Sequence, residues 1–129
     1  MINTIIRLML VSLLTMVAAP AYSDSVLDIF MCQQDEEATE EDLVAIASKW
    51  LKAVKGSKGG AQMDLYLRFP VVAEMRENDF AVVLVAPSLE EWARFVEGVE
   101  ESEVGNLAEK FDKLADCPDN SLWDIVRVE

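Results

Sequence analysis

Histidine is absent from the 129 residues of this sequence. Its absence excludes histidine-based acid–base catalysis, catalytic triads that need an imidazole, histidine-ligated haem and the usual zinc sites. The glycines do not form a phosphate-binding loop either. The cluster GSKGG at residues 56–60 follows a predicted helix and precedes a predicted strand, which is the wrong context for a nucleotide cradle. We therefore expect no metal and no cofactor.

Basic residues are scarce in this chain. Eleven lysines and arginines stand against 24 aspartates and glutamates, which gives a net charge of −13 at pH 7. Such a surface repels phosphate groups, so nucleic acid and anionic membranes are excluded as partners. The most acidic stretch, residues 33–42, lacks the alternating ligand order and the glycine of a calcium-binding loop. We interpret it as the charged start of a helix rather than as a metal site.

The first 23 residues have the pattern of a secretory signal peptide. Arg7 is the only charged residue before Asp24, and an apolar run fills residues 8–19. Ala21 and Ser23 then place small residues at the −3 and −1 positions of a cleavage site. The apolar run is well short of the roughly 20 residues that span a bilayer. We predict a signal peptide at 1–23, one domain at 24–129, export to the periplasm or medium, and no membrane attachment after cleavage.

The mature part alternates between strand-like and helix-like patterns. Apolar residues recur with helical spacing between Thr39, a potential N-cap, and Gly56. Pro70 indicates an edge strand, since proline cannot donate a ladder hydrogen bond. Ser88 and Glu91 have capping-box spacing. In order, the patterns predict a strand at 26–32, the helix from Thr39 to Gly56, a strand at 62–73, a central strand at 80–86, a helix opened by Ser88 and broken near Gly105, and a strand at 121–128.

This order predicts a ferredoxin-like α+β fold, βαββαβ, with a four-stranded antiparallel sheet and helices on one face. With the strand order 4-1-3-2, the end of the first strand lies beside the start of the fourth. That order brings Cys32 close to Cys117, the two cysteines of the chain. An even pair of cysteines in an exported protein readily forms a disulfide. Two buried free thiols are the alternative.

Three segments carry a resemblance to a known superfamily: LDIFMCQ at 27–33, FAVVLVA at 80–86 and PSLEEW at 87–92. With the helix that follows and a closing strand, they resemble the dimeric α+β barrel superfamily, which includes antibiotic-biosynthesis monooxygenase-like and NIPSNAP-like domains. The resemblance implies that two sheets pack face to face, with a cavity between sheet and helices or between the sheets. The haem-degrading and chlorite-decomposing activities of some members depend on histidine, so they do not transfer to this chain.

The alternating residues predict which sheet face the helices cover. We expect the helices to cover Leu27, Ile29, Met31, Leu65, Leu67 and Phe69. We expect the opposite face to carry Asp28, Phe30, Asp64, Tyr66 and Arg68. This half-apolar face is costly to leave in water, and a second copy is its simplest cover, so we predict a homodimer. Asp28, Asp64, Tyr66 and Arg68 are the candidate ligand-binding residues, or else structural ones, with Arg68 pairing a carboxylate.

These absences favour a binding protein over an enzyme. The leading interpretation is a non-catalytic exported homodimer that binds a small apolar or amphipathic molecule or a protein partner. One alternative, implied by the resemblance, is a cofactor-independent monooxygenase-like enzyme acting on a phenol. Another is a structural or stress-related envelope protein. Trp50, Trp92 and Trp123 could line an apolar pocket, but their positions are equally explained by packing.

Overall fold

The computed structural model describes residues 25–72 and 74–128. Seven elements follow one another along this part of the chain. They are β1 (Val26–Gln34), α1 (Glu40–Lys55), β2 (Asp64–Arg68), β3 (Asp79–Ala86), α2 (Leu89–Gly98), α3 (Glu103–Phe111) and β4 (Ala115–Asp124). The predicted signal peptide at 1–23 lies outside the described residues. No helix within 25–72 or 74–128 is both long and apolar enough to cross a membrane.

The four strands form one antiparallel sheet in the order β2-β3-β1-β4. This is the predicted order, and it confirms the ferredoxin-like α+β fold. β3 lies between two neighbours and is buried from Phe80 to Leu84, as its uninterrupted apolar sequence predicted. β2 and β4 are the edge strands.

The first helix begins where its capping residues predict. The Thr39 hydroxyl accepts from the Asp42 backbone N–H at 3.2 Å, and the Asp42 carboxylate accepts from the Thr39 N–H at 3.0 Å. This capping box satisfies two of the N–H groups that a helix leaves without an intrahelical acceptor. The hydrogen bonds from Thr39 hold the pKa of Asp42 below its ordinary value. α1 buries Leu43 and Val54 against the sheet.

A tight loop connects α1 to β2. Gly59 in this loop has a φ of +77°. A Cβ at that position would lie 2.5 Å from the carbonyl oxygen of Glu91, so only glycine allows the loop to lie directly against α2.

The structure corrects several predicted boundaries. β2 ends at Arg68 instead of residue 73, and β4 ends at Asp124 instead of residue 128. The second helical region is interrupted between α2 and α3, at residues 99–102, whereas Gly105 lies inside the first turn of α3. Glycine is needed there because a Cβ would lie 2.7 Å from the carbonyl oxygen of Val99. β4 begins at Ala115, six residues before the predicted Ser121. Pro118 is tolerated inside β4 because the strand is at an edge and the β1–β4 register is irregular between Met31 and Gln33.

The prediction for β1 assigned its side chains to the wrong faces. Asp28 pairs across the sheet with Leu84, which is buried beneath the helices, and Asp28 itself bonds to Trp92 of α2. Cross-strand partners share a face, so Asp28 and Phe30 face the helices, while Leu27, Ile29 and Met31 face away. The prediction of the two faces of β2 is correct. We call the face turned away from the helices the open face. On this face, three rows of paired residues cross all four strands. They consist of Leu27, Ile29, Met31, Asp64, Tyr66, Arg68, Ala81, Val83, Val85, Asp119, Ser121 and Trp123.

The predicted disulfide is present between Cys32 and Cys117, whose Cα atoms are 4.0 Å apart. It links β1 to β4 inside one of two core clusters between sheet and helices. In the same cluster, the ring of Phe80 stacks on that of Phe69, with 5.6 Å between the ring centroids. The centroid of Phe111 lies 6.3 Å from that of Phe80. The other cluster is centred on Leu84, Met63 and Phe95.

Candidate functional site

A cavity of about 130 Å³ lies between the sheet and the helices. Its floor is the helix-facing side of the sheet, one wall is α1, and the other is the end of α3 with the disulfide. The lining residues are Phe30, Leu65 and Val82 of the sheet, Ala47 and Trp50 of α1, Ala108, Phe111 and Asp112 at the end of α3, and Cys117. The cavity therefore lies where two core clusters meet, in a space that no side chain fills.

The lining is apolar except at its rim. Asp112 is the single ionisable residue that lines the cavity, and it is exposed to solvent at the C-terminus of α3. Ala47 lies on α1 and Ala108 lies on α3. These two helices make the most extensive helix–helix contact in the described part of the chain. The short side chains of the two alanines leave the space open. The cavity is close in size to an engineered apolar cavity of about 150 Å³ that binds benzene.

Trp50 contributes an indole to this cavity, and its Nε1 is buried. Within residues 25–72 and 74–128 this nitrogen has no hydrogen-bond partner. A buried donor left without an acceptor costs about 1–3 kcal/mol. The ring is held edge-on to Phe95 at 6.3 Å, so packing fixes its orientation. Trp50 thus gives one wall of the cavity a rigid aromatic surface.

Asp28 lies on the helix side of the sheet with only 5% of its surface exposed. Its carboxylate accepts from the Trp92 indole Nε1 at 3.0 Å and, more weakly, from the Asn120 amide at 3.5 Å. Burial raises the pKa of Asp28, and these two hydrogen bonds lower it by less. The group therefore ties β1 to α2 and β4, and it does not line the cavity.

Asp64, Tyr66 and Arg68 lie on the open face, as predicted, and all three are exposed. The Asp64 carboxylate is 3.4 Å from the Lys55 ammonium. Arg68 makes no ion pair with any residue in the described ranges. The sheet separates these three side chains from Asp28, so the four predicted candidates do not form one site.

A groove runs along the open face beside Arg68. It is lined by Met31 and Met75 together with the segment after β2, in which Val71 and Val72 are almost fully exposed. This groove is larger than the cavity under the helices, about 560 Å³ against 130 Å³, and both are partly open to solvent. No group of residues in the described ranges has the composition and placement of a metal site.

The prediction missed most of the cavity. Trp50 was recognised as a possible pocket residue, whereas Trp92 bonds to Asp28 and Trp123 lies on the open face, 58% exposed. Helical spacing of the apolar residues puts Ala47 on the inward stripe of the first predicted helix and Ala108 on that of the helical region after Ser88. Two small residues on facing stripes indicate extra room, but only the packing of α1 on α3 shows that they meet.

Neither a protein-family model nor a curated protein matches this sequence. Among solved structures, the chain is similar to SnoaB, a cofactor-independent oxygenase from Streptomyces nogalater, with 9% identity and a TM-score of 0.57 over 82% of this chain and 97% of SnoaB. It is also similar to a protein of unknown function from Bacteroides thetaiotaomicron, a possible oxidoreductase, with 14% identity and a TM-score of 0.52 over 81% of this chain and 100% of the other. The resemblance predicted from the sequence is therefore confirmed at the level of the fold: the chain shares a ferredoxin-like α+β architecture with these structures.

Proposed function

We propose that the mature chain is an exported homodimer that binds a small apolar molecule, without transforming it, in the cavity between its sheet and its helices. The observation that carries this proposal is the apolar cavity of about 130 Å³ bounded by Phe30, Trp50 and Phe111. Its size suits a single aromatic ring or a short aliphatic chain.

The lining of this cavity is apolar, and the cavity is partly open to solvent. A ligand that fills it removes the apolar lining from water, which is favourable. The unfilled space also argues against a purely structural protein, for which a filled interior would be expected.

Export is supported by two independent features. The N-terminal residues have the order of charged, apolar and small residues typical of a signal peptide. The described domain contains a disulfide, which forms and persists in oxidising compartments.

A homodimer is supported by the composition of the open face. Its central residues on β1 and β3 are apolar. Ala81 and Val83 are already buried, but Met31 is 40% exposed and Leu27, Ile29 and Val85 are partly exposed, which is unfavourable in water. In a dimer, each subunit covers the open face of the other, since a two-fold interface uses the same surface on each subunit.

Isothermal titration calorimetry of the mature protein with phenol and toluene tests the binding proposal. We expect saturable binding at one site per chain. Ala47→Leu places a larger side chain in the cavity and should weaken binding at least tenfold. Ala45→Leu makes the same change on the exposed side of α1 and should leave the affinity unchanged. Equal affinity for the two variants, or no heat with either ligand, would refute the proposal.

A cofactor-independent oxygenase acting on a phenol is the second candidate, and the fold shared with SnoaB favours it. An oxygen electrode separates the two functions. Phenols and hydroquinones are incubated with the protein in air-saturated buffer containing a metal chelator. Binding without chemistry predicts no oxygen uptake above the protein-free rate. Uptake that Ala47→Leu abolishes and Ala45→Leu preserves would establish the enzyme instead.

A further inference from the structure

The open face has a charged margin around an apolar centre. Three rows of paired residues cross all four strands. Their centre, on β1 and β3, consists of Leu27, Ile29, Met31, Ala81, Val83 and Val85. Their margins are Asp64, Tyr66 and Arg68 on β2, and Asp119, Ser121 and Trp123 on β4. In these rows Arg68 is the only cation, and Asp64 and Asp119 are the only carboxylates.

Arg68 and Asp119 occupy opposite ends of one row. Arg68 pairs with Ala81 on β3, Ala81 with Met31 on β1, and Met31 with Asp119 on β4. Neighbouring strands are about 4.8 Å apart, so three steps separate the two residues by roughly 14 Å. An ion pair between them within one chain is therefore out of reach.

We propose that Arg68 of each subunit of this homodimer pairs with Asp119 of the other subunit. This inference rests on the homodimer of the proposed function and names the contact that orients it. A two-fold axis parallel to the strands, midway between the two sheets, places β2 of one copy over β4 of the other and keeps the rows in register. Packed sheets lie about 10 Å apart, a gap that an arginine and an aspartate side chain span together.

The same axis gives the rest of the open face suitable neighbours. The partly exposed residues of the centre, Leu27, Ile29, Met31 and Val85, face those of the other copy. Tyr66 lies opposite Ser121 in the middle row. The result is an apolar core with a polar rim, the usual anatomy of a protein interface.

A two-fold axis perpendicular to the strands would instead place Arg68 over Asp64 of the other copy. Asp64 already has a cation, the Lys55 ammonium at 3.4 Å. Asp79, the carboxylate diagonal to Arg68 on β3, lies 3.7 Å from Arg76. Asp119 has no ion pair within residues 25–72 and 74–128. The carboxylate that lacks a partner is therefore the one that the parallel axis brings to Arg68.

Charge reversal tests this contact, with sedimentation equilibrium as the assay. Arg68→Glu should weaken dimerisation at least 100-fold, because like charges then face each other twice. Asp119→Arg should do the same. Mixing these two variants should restore a dimer within tenfold of the parent affinity, because each heterodimer contains two opposite-charge contacts. Lys49→Glu is the matched control, since it makes the same charge change on the exposed side of α1.

Each result has one meaning for the proposal, provided that circular dichroism shows every variant to be folded. A parent chain that is monomeric at 50 μM refutes the homodimer and this contact together. A parent dimer that tolerates Arg68→Glu as well as Lys49→Glu refutes the contact and leaves the homodimer standing. Complementation by Asp64→Arg in place of Asp119→Arg would overturn the proposed axis in favour of the perpendicular one.

Discussion

Removing the disulfide should cost this domain much of its stability. The bond joins Cys32 to Cys117 across a sequence separation of 85 residues. Closing a loop of that length in the unfolded chain corresponds to about 4.6 kcal/mol in the chain-entropy treatment. Native disulfides in small secreted domains contribute about 2–5 kcal/mol, so we expect Cys32→Ala/Cys117→Ala to lose that amount. The loss is large against a total of 5–15 kcal/mol.

Guanidinium unfolding followed by circular dichroism measures this loss. The variant should have a lower midpoint and a steeper denaturant dependence, because its unfolded chain is more expanded. A strong reductant should lower the parent's stability to that of the variant and leave the variant unchanged. A loss under 1 kcal/mol, or free thiols at both positions in alkylated exported protein, would refute the reasoning.

Three further predictions concern the buried acid, the helix cap and export. Burial raises the folded-state pKa of Asp28 above its unfolded value, so its contribution to stability falls as the pH rises through the folded pKa. Asp28→Asn keeps an acceptor for Trp92, so at pH 7 it should be at least as stable as the parent. Urea titrations should show the difference in the free energy of unfolding between variant and parent shrinking towards pH 4. Thr39→Ala removes the hydroxyl that caps α1 and should cost about 0.5–2 kcal/mol in thermal unfolding; an unchanged midpoint would contradict this role. Mass spectrometry of protein recovered after export should find a chain beginning near Asp24, and an intact Met1 would contradict the signal peptide.

The elements with strong local patterns could be predicted from the sequence. α1 has a cap, a full apolar stripe and a glycine stop, and β3 is apolar throughout; both are found close to where they were expected. The start of β4 could not be predicted, because Pro118 argues locally against a strand. Only its position at the sheet edge, beside an irregular register, makes that proline acceptable.

The sequence pattern could not predict which side chains of β1 face the helices, for a different reason. Apolar residues occupy both alternating sets of β1, so the period-2 pattern does not distinguish inside from outside. The register with β3 decides the matter, and it buries the polar Asp28, whose carboxylate is satisfied by Trp92. An apolar residue was the more obvious choice for that position. The placement of Tyr66 and Arg68 was correct because β2 alternates cleanly.

The candidate cavity depends on tertiary packing. Its lining comes from the sheet, α1, α3 and the disulfide, and no sequence spacing relates these segments. Helical periodicity identified Ala47 and Ala108 as inward-facing but could not show that the space beside them stays unfilled.

A crystal structure of the mature protein soaked with toluene tests the central claim most directly. We expect density for one aromatic ring between Trp50, Phe111 and Phe30, and none at that place in crystals of Ala47→Leu treated in the same way. Crystals soaked to saturation in which the parent's cavity is collapsed, or holds only water, would contradict the account.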